Sequence, residues 1–171
     1  MISIVTSCLP MGFVGDAYRA ALEAEVYLLR TVVWTAEGES VPPGLSLSAD
    51  GVLSGVPIRS YRGSIEVCAT CENPEETART VLSLRIYGAL SLKALSLPDG
   101  QAGQAYSARL VAGGGVNPYH WMADSLPSGL HLSGAWLTGT PQVSGGFAPI
   151  TFTVVDAAGH SAEKCVFLRI L

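Results

Sequence analysis

Residues 126–141 read LPSGLHLSGAWLTGTP, and residues 41–57 read VPPGLSLSADGVLSGVP. Each stretch contains a Pro-x-Gly turn, an alternating Leu-x-Leu segment and a second turn of the form Leu-x-Gly-x-Pro. Proline and glycine at these positions, with apolar residues at every second position between them, are typical of short β-strands joined by tight turns. The same strand-and-turn unit therefore occurs twice, with Gly44 and Gly129 separated by 85 residues.

The repeat continues on both sides of this motif. The matching positions in the first half are Leu9-Pro10, Gly15, Tyr18, Leu22, Trp34 and residues 82–86, and those in the second half are Leu97-Pro98, Gly103, Tyr106, Leu110, Trp121 and residues 166–170. A period near 85 residues is longer than the roughly 20–50 residues of a solenoid repeat. We therefore predict two tandem domains, at residues 1–87 and 88–171.

The hydrophobic pattern within each half predicts strands. Residues 82–86 and 166–170 both place apolar side chains at every second position, which is the signature of a half-buried strand. Residues 17–29 have some helical propensity, but their counterpart contains three glycines at 113–115. We therefore predict an all-β fold of two Ig-like antiparallel β-sandwiches, each with about seven short strands and the second with a hairpin turn at 156–159.

Composition excludes several classes of protein. Of the 171 residues, 49% are apolar and only 14% are charged, which is unlike a disordered charged chain. Ten basic residues against 14 acidic ones give a net charge of −4, so we expect no nucleic-acid binding. We also predict no membrane insertion and no secretory signal, because the chain lacks a long apolar run and a basic leader. Met1 is then either a true start or the edge of an excised fragment.

The second half resembles the Putative-Ig repeat family of bacterial surface proteins, which is related to dystroglycan-type cadherin-like domains. The resemblance is carried by Leu97-Pro98, Gly103, Tyr106 and residues 113–115, 118–121, 126–132, 137–141 and 152–156. The first half is more divergent, because residues 25–30 replace the glycine loop and residues 72–76 replace the turn at 156–159. The resemblance implies an Ig-like sandwich used in adhesion, spacing or display, without catalytic residues.

The four cysteines and the scattered acidic residues are the candidate metal ligands of the chain. Cys68 and Cys71 have CxxC spacing, but a zinc site needs a second ligand pair and a redox site needs a βαβ context. We predict structural or free thiols, as expected for synthesis in a reducing compartment. The aspartates are isolated and residues 72–76 suggest a solvated hairpin tip, so we expect no calcium site and no cofactor.

We predict that the chain is not an enzyme. Ser128, His131 and Asp124 could supply a hydrolase triad, but their closeness in sequence does not provide triad geometry and no nucleophile elbow is present.

Two segments are candidates for partner contact. Val26, Tyr27, Leu28 and Leu29 put apolar side chains where the second half has a glycine loop. They form a contact surface if they lie at a loop tip, and core if they belong to a strand or helix. Trp136 should point outward because its neighbour Leu137 points inward; it either anchors a sugar or protein, or lies over its own domain. Trp34 and Trp121 recur at one repeat position and are predicted to be core.

The leading hypothesis is a non-enzymatic surface component of a larger assembly, specifically a phage virion protein such as a capsid decoration or tail accessory. It would be made in the host cytoplasm, displayed on the virion surface, bound to other protein subunits and able to adhere to a host surface. One alternative is a spacer or adhesion fragment of a secreted bacterial surface adhesin, located extracellularly. Another is a carbohydrate-binding module that uses Trp136 to bind a cell-surface glycan.

Overall fold

The computed structural model describes residues 1–27, 31–38, 40–72, 75–93 and 96–171. The chain divides into two compact units, Met1–Gly88 and Ala89–Leu171. Within the described residues each unit consists of β-strands joined by turns and irregular segments, and no helix is present. The predicted all-β fold is confirmed.

The first unit is a β-sandwich. Its strands are β1 (Ile2–Ile4), β2 (Gly12–Phe13), β3 (Tyr18–Ala21), β4 (Ala24–Val26), β5 (Val32–Ala36), β6 (Leu45–Leu47), β7 (Val52–Gly55), β8 (Tyr61–Cys71) and β9 (Glu76–Tyr87). One sheet has the order β3-β7-β6 and the other has the order β2-β9-β8-β5, with β1 and β4 forming a separate pair. The order corresponds to strands B-E-D and C-F-G of an immunoglobulin sandwich, with β2 running parallel to β9.

The second unit repeats this topology. Its strands are β10 (Ser91–Leu92), β11 (Tyr106–Arg109), β12 (Ala112–Gly113), β13 (His120–Asp124), β14 (Leu130–Ser133), β15 (Trp136–Gly139), β16 (Gly146–Val155) and β17 (Ser161–Ile170). The two main sheets have the orders β11-β15-β14 and β13-β16-β17. A parallel bridge between Gly100 and Ile170 takes the place of the β2–β9 pair of the first unit. The predicted hairpin turn at 156–159 joins β16 to β17.

The predicted number of strands needs correction. The described residues form nine strands in the first unit and eight in the second, rather than about seven, because two- and three-residue strands such as β1 and β10 are too short to show a period. The described part of residues 17–29 forms no helix despite its helical propensity, which agrees with the predicted all-β fold. Tyr18 and Ala20 are buried while Arg19 and Ala21 are exposed, so burial on alternate sides overrides local propensity.

Each unit has its own hydrophobic core. In the first unit, Trp34 on β5 is buried together with Leu53, Ile65 and Val67, as predicted for this tryptophan. In the second unit, Trp121 is partly buried against a core that includes the fully buried residues Leu137, Ile150, Phe152 and Leu168. Each fully buried aliphatic or aromatic side chain contributes roughly 1.5–3 kcal/mol. The two tryptophans therefore contribute to the cores of their respective sandwiches.

The glycines of the repeated motif lie where two backbone segments approach so closely that a side chain would collide with a carbonyl oxygen. Gly129 and Gly139 have φ of +87° and +136°, and a Cβ on Gly139 would collide with the carbonyl oxygen of Gly129. A Cβ on Gly129 would in turn collide with the carbonyl oxygen of Thr140. Gly44 and Gly55 repeat the arrangement in the first unit. The motif thus holds the start of β14 against the end of β15, and the start of β6 against the end of β7, at a distance that only glycine allows.

A repeated tyrosine ties the N-terminal segment of each unit to its sandwich. The Tyr18 hydroxyl donates a hydrogen bond to the carbonyl oxygen of Pro10 at 3.0 Å, and the Tyr106 hydroxyl does the same to Pro98 at 3.0 Å. Burial raises the pKa of both tyrosines to about 12, with Asp99 contributing further at Tyr106. Both hydroxyls therefore stay protonated and keep their donor role at physiological pH.

Candidate functional site

Trp136 lies on the outer face of the β11-β15-β14 sheet. Its side chain is 46% exposed, which agrees with the outward orientation inferred from alternation with the buried Leu137. The Arg109 guanidinium lies 6.0 Å from the centre of the Trp136 ring, within the range of a cation–π contact. Ser133 stands opposite Trp136 on β14, so polar side chains flank the ring on both neighbouring strands. This surface combines an aromatic ring with hydrogen-bonding groups.

The other predicted contact segment is divided between core and surface. Val26 ends β4, pairs with Ile2 of β1 and packs partly buried against the first core. Tyr27 follows it and is 81% exposed. Leu28 and Leu29 lie outside the residues that the structure describes. Val26 therefore belongs to a strand and contributes to the core, whereas Tyr27 is exposed to solvent.

A second aromatic surface, on the outer face of β16 and β17, was not found by sequence reasoning. Phe147 is 68% exposed and Phe167 is 63% exposed. Phe147 stands opposite Arg169, and Phe167 stands opposite the exposed Pro149, so the two rings are diagonal neighbours on adjacent strands. The Arg169 guanidinium lies 5.9 Å from the centre of the Phe147 ring. We call Phe147, Pro149, Phe167 and Arg169 the phenylalanine face.

The sequence did contain a signal for this face. Val166, Leu168 and Ile170 point into the core, and a strand alternates its side chains between the two faces. Phe167 must then point outward, and the same argument applied to β16 turns Phe147 away from Ile150 and Phe152. An aromatic residue at an outward-facing strand position indicates an interaction surface, because core packing does not account for its presence.

The CxxC cysteines cannot act as a chelating pair. Cys68 and Cys71 both lie on β8, and residues three apart on a strand point to opposite faces of the sheet. Cys71 belongs to the first core, whereas Cys68 Sγ lies 3.7 Å from the Thr70 hydroxyl. Cys8 and Cys165 carry exposed thiols. Among the described residues no group of three His, Cys, Asp or Glu side chains is arranged to hold a metal ion.

Asp156 is a buried carboxylate that joins two loops of the second unit. The Val116 amide donates to its Oδ2 at 2.9 Å, and the Ala158 and His160 amides donate to its Oδ1 at 2.9 and 2.8 Å. The His160 Nδ1 atom lies 3.3 Å from Oδ2, and Gly115 has no Cβ that would collide with the same oxygen. Burial acts to raise the pKa of Asp156, but these hydrogen bonds outweigh burial and lower it. Asp156 therefore has a structural role.

We expect Asp156→Asn to lower the free energy of unfolding of the second unit by about 1–3 kcal/mol at neutral pH, because it removes a charged acceptor from three amides. The folded-state pKa lies below the ordinary value, so the ionised carboxylate stabilises the fold above that value and loses this effect as the pH falls through the folded pKa. Urea unfolding at neutral pH and at about pH 2 should show the difference between wild type and variant shrinking in acid. Asp124→Asn, at an exposed carboxylate, is the matched control. An equal effect at both pH values would contradict the ionic role.

Two of the residues that could supply a hydrolase triad, Asp124 and His131, lie on different sheets. Asp124 ends β13, an edge strand of the β13-β16-β17 sheet, and is exposed. His131 lies on β14 in the other sheet, where its Nε2 atom is 3.4 Å from the Thr138 hydroxyl. Side chains on the outer faces of opposite sheets cannot form the Asp–His hydrogen bond that orients the imidazole in a catalytic triad.

Comparison with known proteins identifies the second unit. Residues 89–170 match the family described as Putative Ig domain. The second unit is a Putative Ig domain. This confirms the family that the sequence resemblance indicated, and the Putative Ig domain coincides with the unit that carries both Trp136 and the phenylalanine face. A search of curated protein sequences found no match to the chain.

Solved structures of tandem Ig proteins share the fold. The chain is similar to the N-terminal eight Ig domains of Down Syndrome Cell Adhesion Molecule, with 14% identity and a TM-score of 0.65 over 99% of this chain and 24% of that one. It is also similar to the titin I-band fragment I67-I69, with 13% identity and a TM-score of 0.62 over 99% of this chain and 65% of that one. The two units therefore have the fold found in cell-adhesion Ig proteins.

A fragment of intimin also has a similar fold. The chain is similar to a C-terminal fragment of intimin, solved in complex with the intimin-binding domain of the translocated intimin receptor, with 15% identity and a TM-score of 0.51 over 99% of this chain and 63% of that one. The chain thus spans less than two thirds of the length of each of these three structures. Within the described residues, no helix has the length and hydrophobicity needed to cross a membrane.

Proposed function

We propose that this chain is a non-catalytic binding protein that docks on another protein subunit through the phenylalanine face of its Putative Ig domain. The observation that carries the proposal is the pair of exposed rings, Phe147 and Phe167, on two long paired strands. Aromatic side chains and arginine are enriched at protein interfaces, and the phenylalanine face contains both. The backbones of β16 and β17 are paired over ten residues, so the backbone that carries these side chains is already ordered. Docking would therefore lose little backbone entropy.

We further propose that the assembly is a phage virion, with the chain displayed on its surface as a decoration or tail accessory. The adhesion-type fold supports a surface role. The thiols support synthesis in a reducing compartment, since Cys8 and Cys165 are exposed and free and Cys68 is buried and free. An Ig-like fold with accessible unpaired thiols suits a protein that is made in a host cytoplasm and then assembled.

Recovery of the protein from its natural source tests this proposal. Particles purified on a density gradient should contain the chain at the mass of its 171 residues, in many copies per particle. Recovery only within a longer secreted polypeptide would instead make the two units spacers of a surface adhesin.

Binding on a glycan array that is lost in Trp136→Ala would favour the carbohydrate-binding alternative, for which the exposed Trp136 ring beside Arg109 is the supporting observation.

The double variant Phe147→Ser/Phe167→Ser should reduce incorporation into particles at least roughly tenfold, because truncation of a hot-spot aromatic residue at the centre of an interface costs about 2 kcal/mol or more. Incorporation is measured by adding purified protein to particles that lack it and quantifying the bound chain. Val143→Ser is the matched control, since Val143 is also exposed and apolar in the same unit but lies outside the phenylalanine face. Equal loss in both variants, or none in either, would contradict docking through this face.

A further inference from the structure

A groove lined by charged, polar and apolar side chains lies on the first unit, separate from the phenylalanine face and independent of the function proposed for it. Its volume is about 620 Å³. The outer face of the β8–β9 hairpin forms one wall, with Arg62, Ser64, Ser83 and Arg85. The segment between β1 and β2 forms the other wall, with Leu9 and the exposed Met11. One side of the groove is therefore cationic and the other is apolar.

The two arginines stand directly opposite one another. Arg62 and Arg85 are register partners on adjacent antiparallel strands, and both side chains are exposed. Within the described ranges of the chain, neither guanidinium has a carboxylate within salt-bridge distance, although the first unit carries ten acidic residues against six basic ones. Like charges directly opposite across strands are destabilising. An anion held between the two guanidinium groups would remove this repulsion.

Neighbouring side chains position one guanidinium and add hydrogen-bonding groups. The Arg85 guanidinium lies 4.4 Å from the centre of the Tyr87 ring, and Tyr87 is stacked on Phe13 with 5.6 Å between ring centres. This stack restricts Arg85 before any ligand binds, which lowers the entropy cost of binding. Ser64 and Ser83 are register partners two residues along the same strands, so two hydroxyls stand beside the two guanidinium groups.

We propose that this groove binds an organic carboxylate, with the carboxyl group between Arg62 and Arg85 and the apolar part against Leu9 and Met11. A guanidinium binds a planar carboxylate through two parallel hydrogen bonds, and the serine hydroxyls can donate to any oxygen lone pair that remains. The apolar wall distinguishes an organic anion from an inorganic one, because only the former buries hydrocarbon there.

Amide chemical-shift titration of the full chain tests the proposal with four probes: hexanoate, hexanamide, acetate and inorganic sulfate. Hexanoate should shift the amide signals of Ser64 and Ser83, and acetate and sulfate should bind roughly tenfold more weakly for want of the apolar contact. Hexanamide, which has the same chain without the charge, should not bind measurably. Binding of sulfate as tightly as hexanoate would overturn the organic-carboxylate proposal, and equal binding of hexanamide would overturn the ionic role of the arginines.

Substitution of the arginines gives the second test. Arg62→Gln and Arg85→Gln should each weaken hexanoate binding roughly tenfold, as expected when one charge-assisted pair of hydrogen bonds is lost. Arg19→Gln is the matched control, because Arg19 is exposed on β3 outside the groove. The same spectra report whether each variant is folded. Unchanged hexanoate affinity in a folded Arg62→Gln/Arg85→Gln protein would overturn the site, without bearing on docking through the phenylalanine face.

Discussion

Phe152→Ala is expected to lower the free energy of unfolding of the second unit by about 3–5 kcal/mol, whereas Phe147→Ala should change it by less than about 0.5 kcal/mol. Both residues lie on β16. Phe152 is 0% exposed in the centre of the core, and its removal leaves a cavity that the surrounding side chains fill only partly. Phe147 points to the outer face, where truncation removes little packing.

Urea unfolding of the full chain measures this difference, with the transition followed by the amide signals of residues 89–171. A loss of about 3–5 kcal/mol is a large fraction of the roughly 5–15 kcal/mol that stabilises a typical domain, so the Phe152→Ala transition is expected at a much lower urea concentration than that of the wild type. Because the two substitutions are chemically identical and lie on one strand, intrinsic strand propensity cannot account for the contrast. Similar losses in both variants would mean that Phe147 is also buried, which would contradict the phenylalanine face as an exposed surface.

Gly139→Ala is expected to lower the free energy of unfolding of the second unit by roughly 4 kcal/mol. Its φ of +136° is a backbone conformation that L-residues rarely adopt, and the added Cβ would collide with the carbonyl oxygen of Gly129. Relief of the collision requires the β14 and β15 backbones to separate, which breaks the register between Leu130 and Gly139. Backbone strain at residue 139 and the loss of β14–β15 pairing therefore both lower the free energy of unfolding.

Gly134→Ala provides the control for strain alone. Gly134 has φ of +55°, but a Cβ there would have no atom within 4 Å. The cost should be only about 1–2 kcal/mol, the usual penalty for a non-glycine residue in the left-handed region. Both variants are compared by the same unfolding experiment. Equal losses would show that the close approach of Gly129 and Gly139 contributes nothing, and the account of the repeated motif would then be wrong.

Much of the fold was predictable because the relevant signals are local. Turn chemistry at the Pro-x-Gly and Leu-x-Gly-x-Pro segments, together with period-two alternation, indicated short antiparallel strands, and the repeat indicated two copies. The orientation of Trp136 followed from the inward position of Leu137. The shortest strands were not predicted, because pairing over two or three residues leaves no periodic trace.

The all-β class, the tandem repeat and the outward orientation of Trp136 followed from the amino-acid sequence, since these depend on turn residues and on the alternation of side chains along a strand. Contacts between residues that are distant in the sequence depend on the folded sandwich. The pairing of Arg62 with Arg85 depends on strand register, and the contact of Asp156 with the Val116 amide joins loops 40 residues apart. Register and loop contact are decided by packing of the whole sandwich, which no short stretch of sequence encodes.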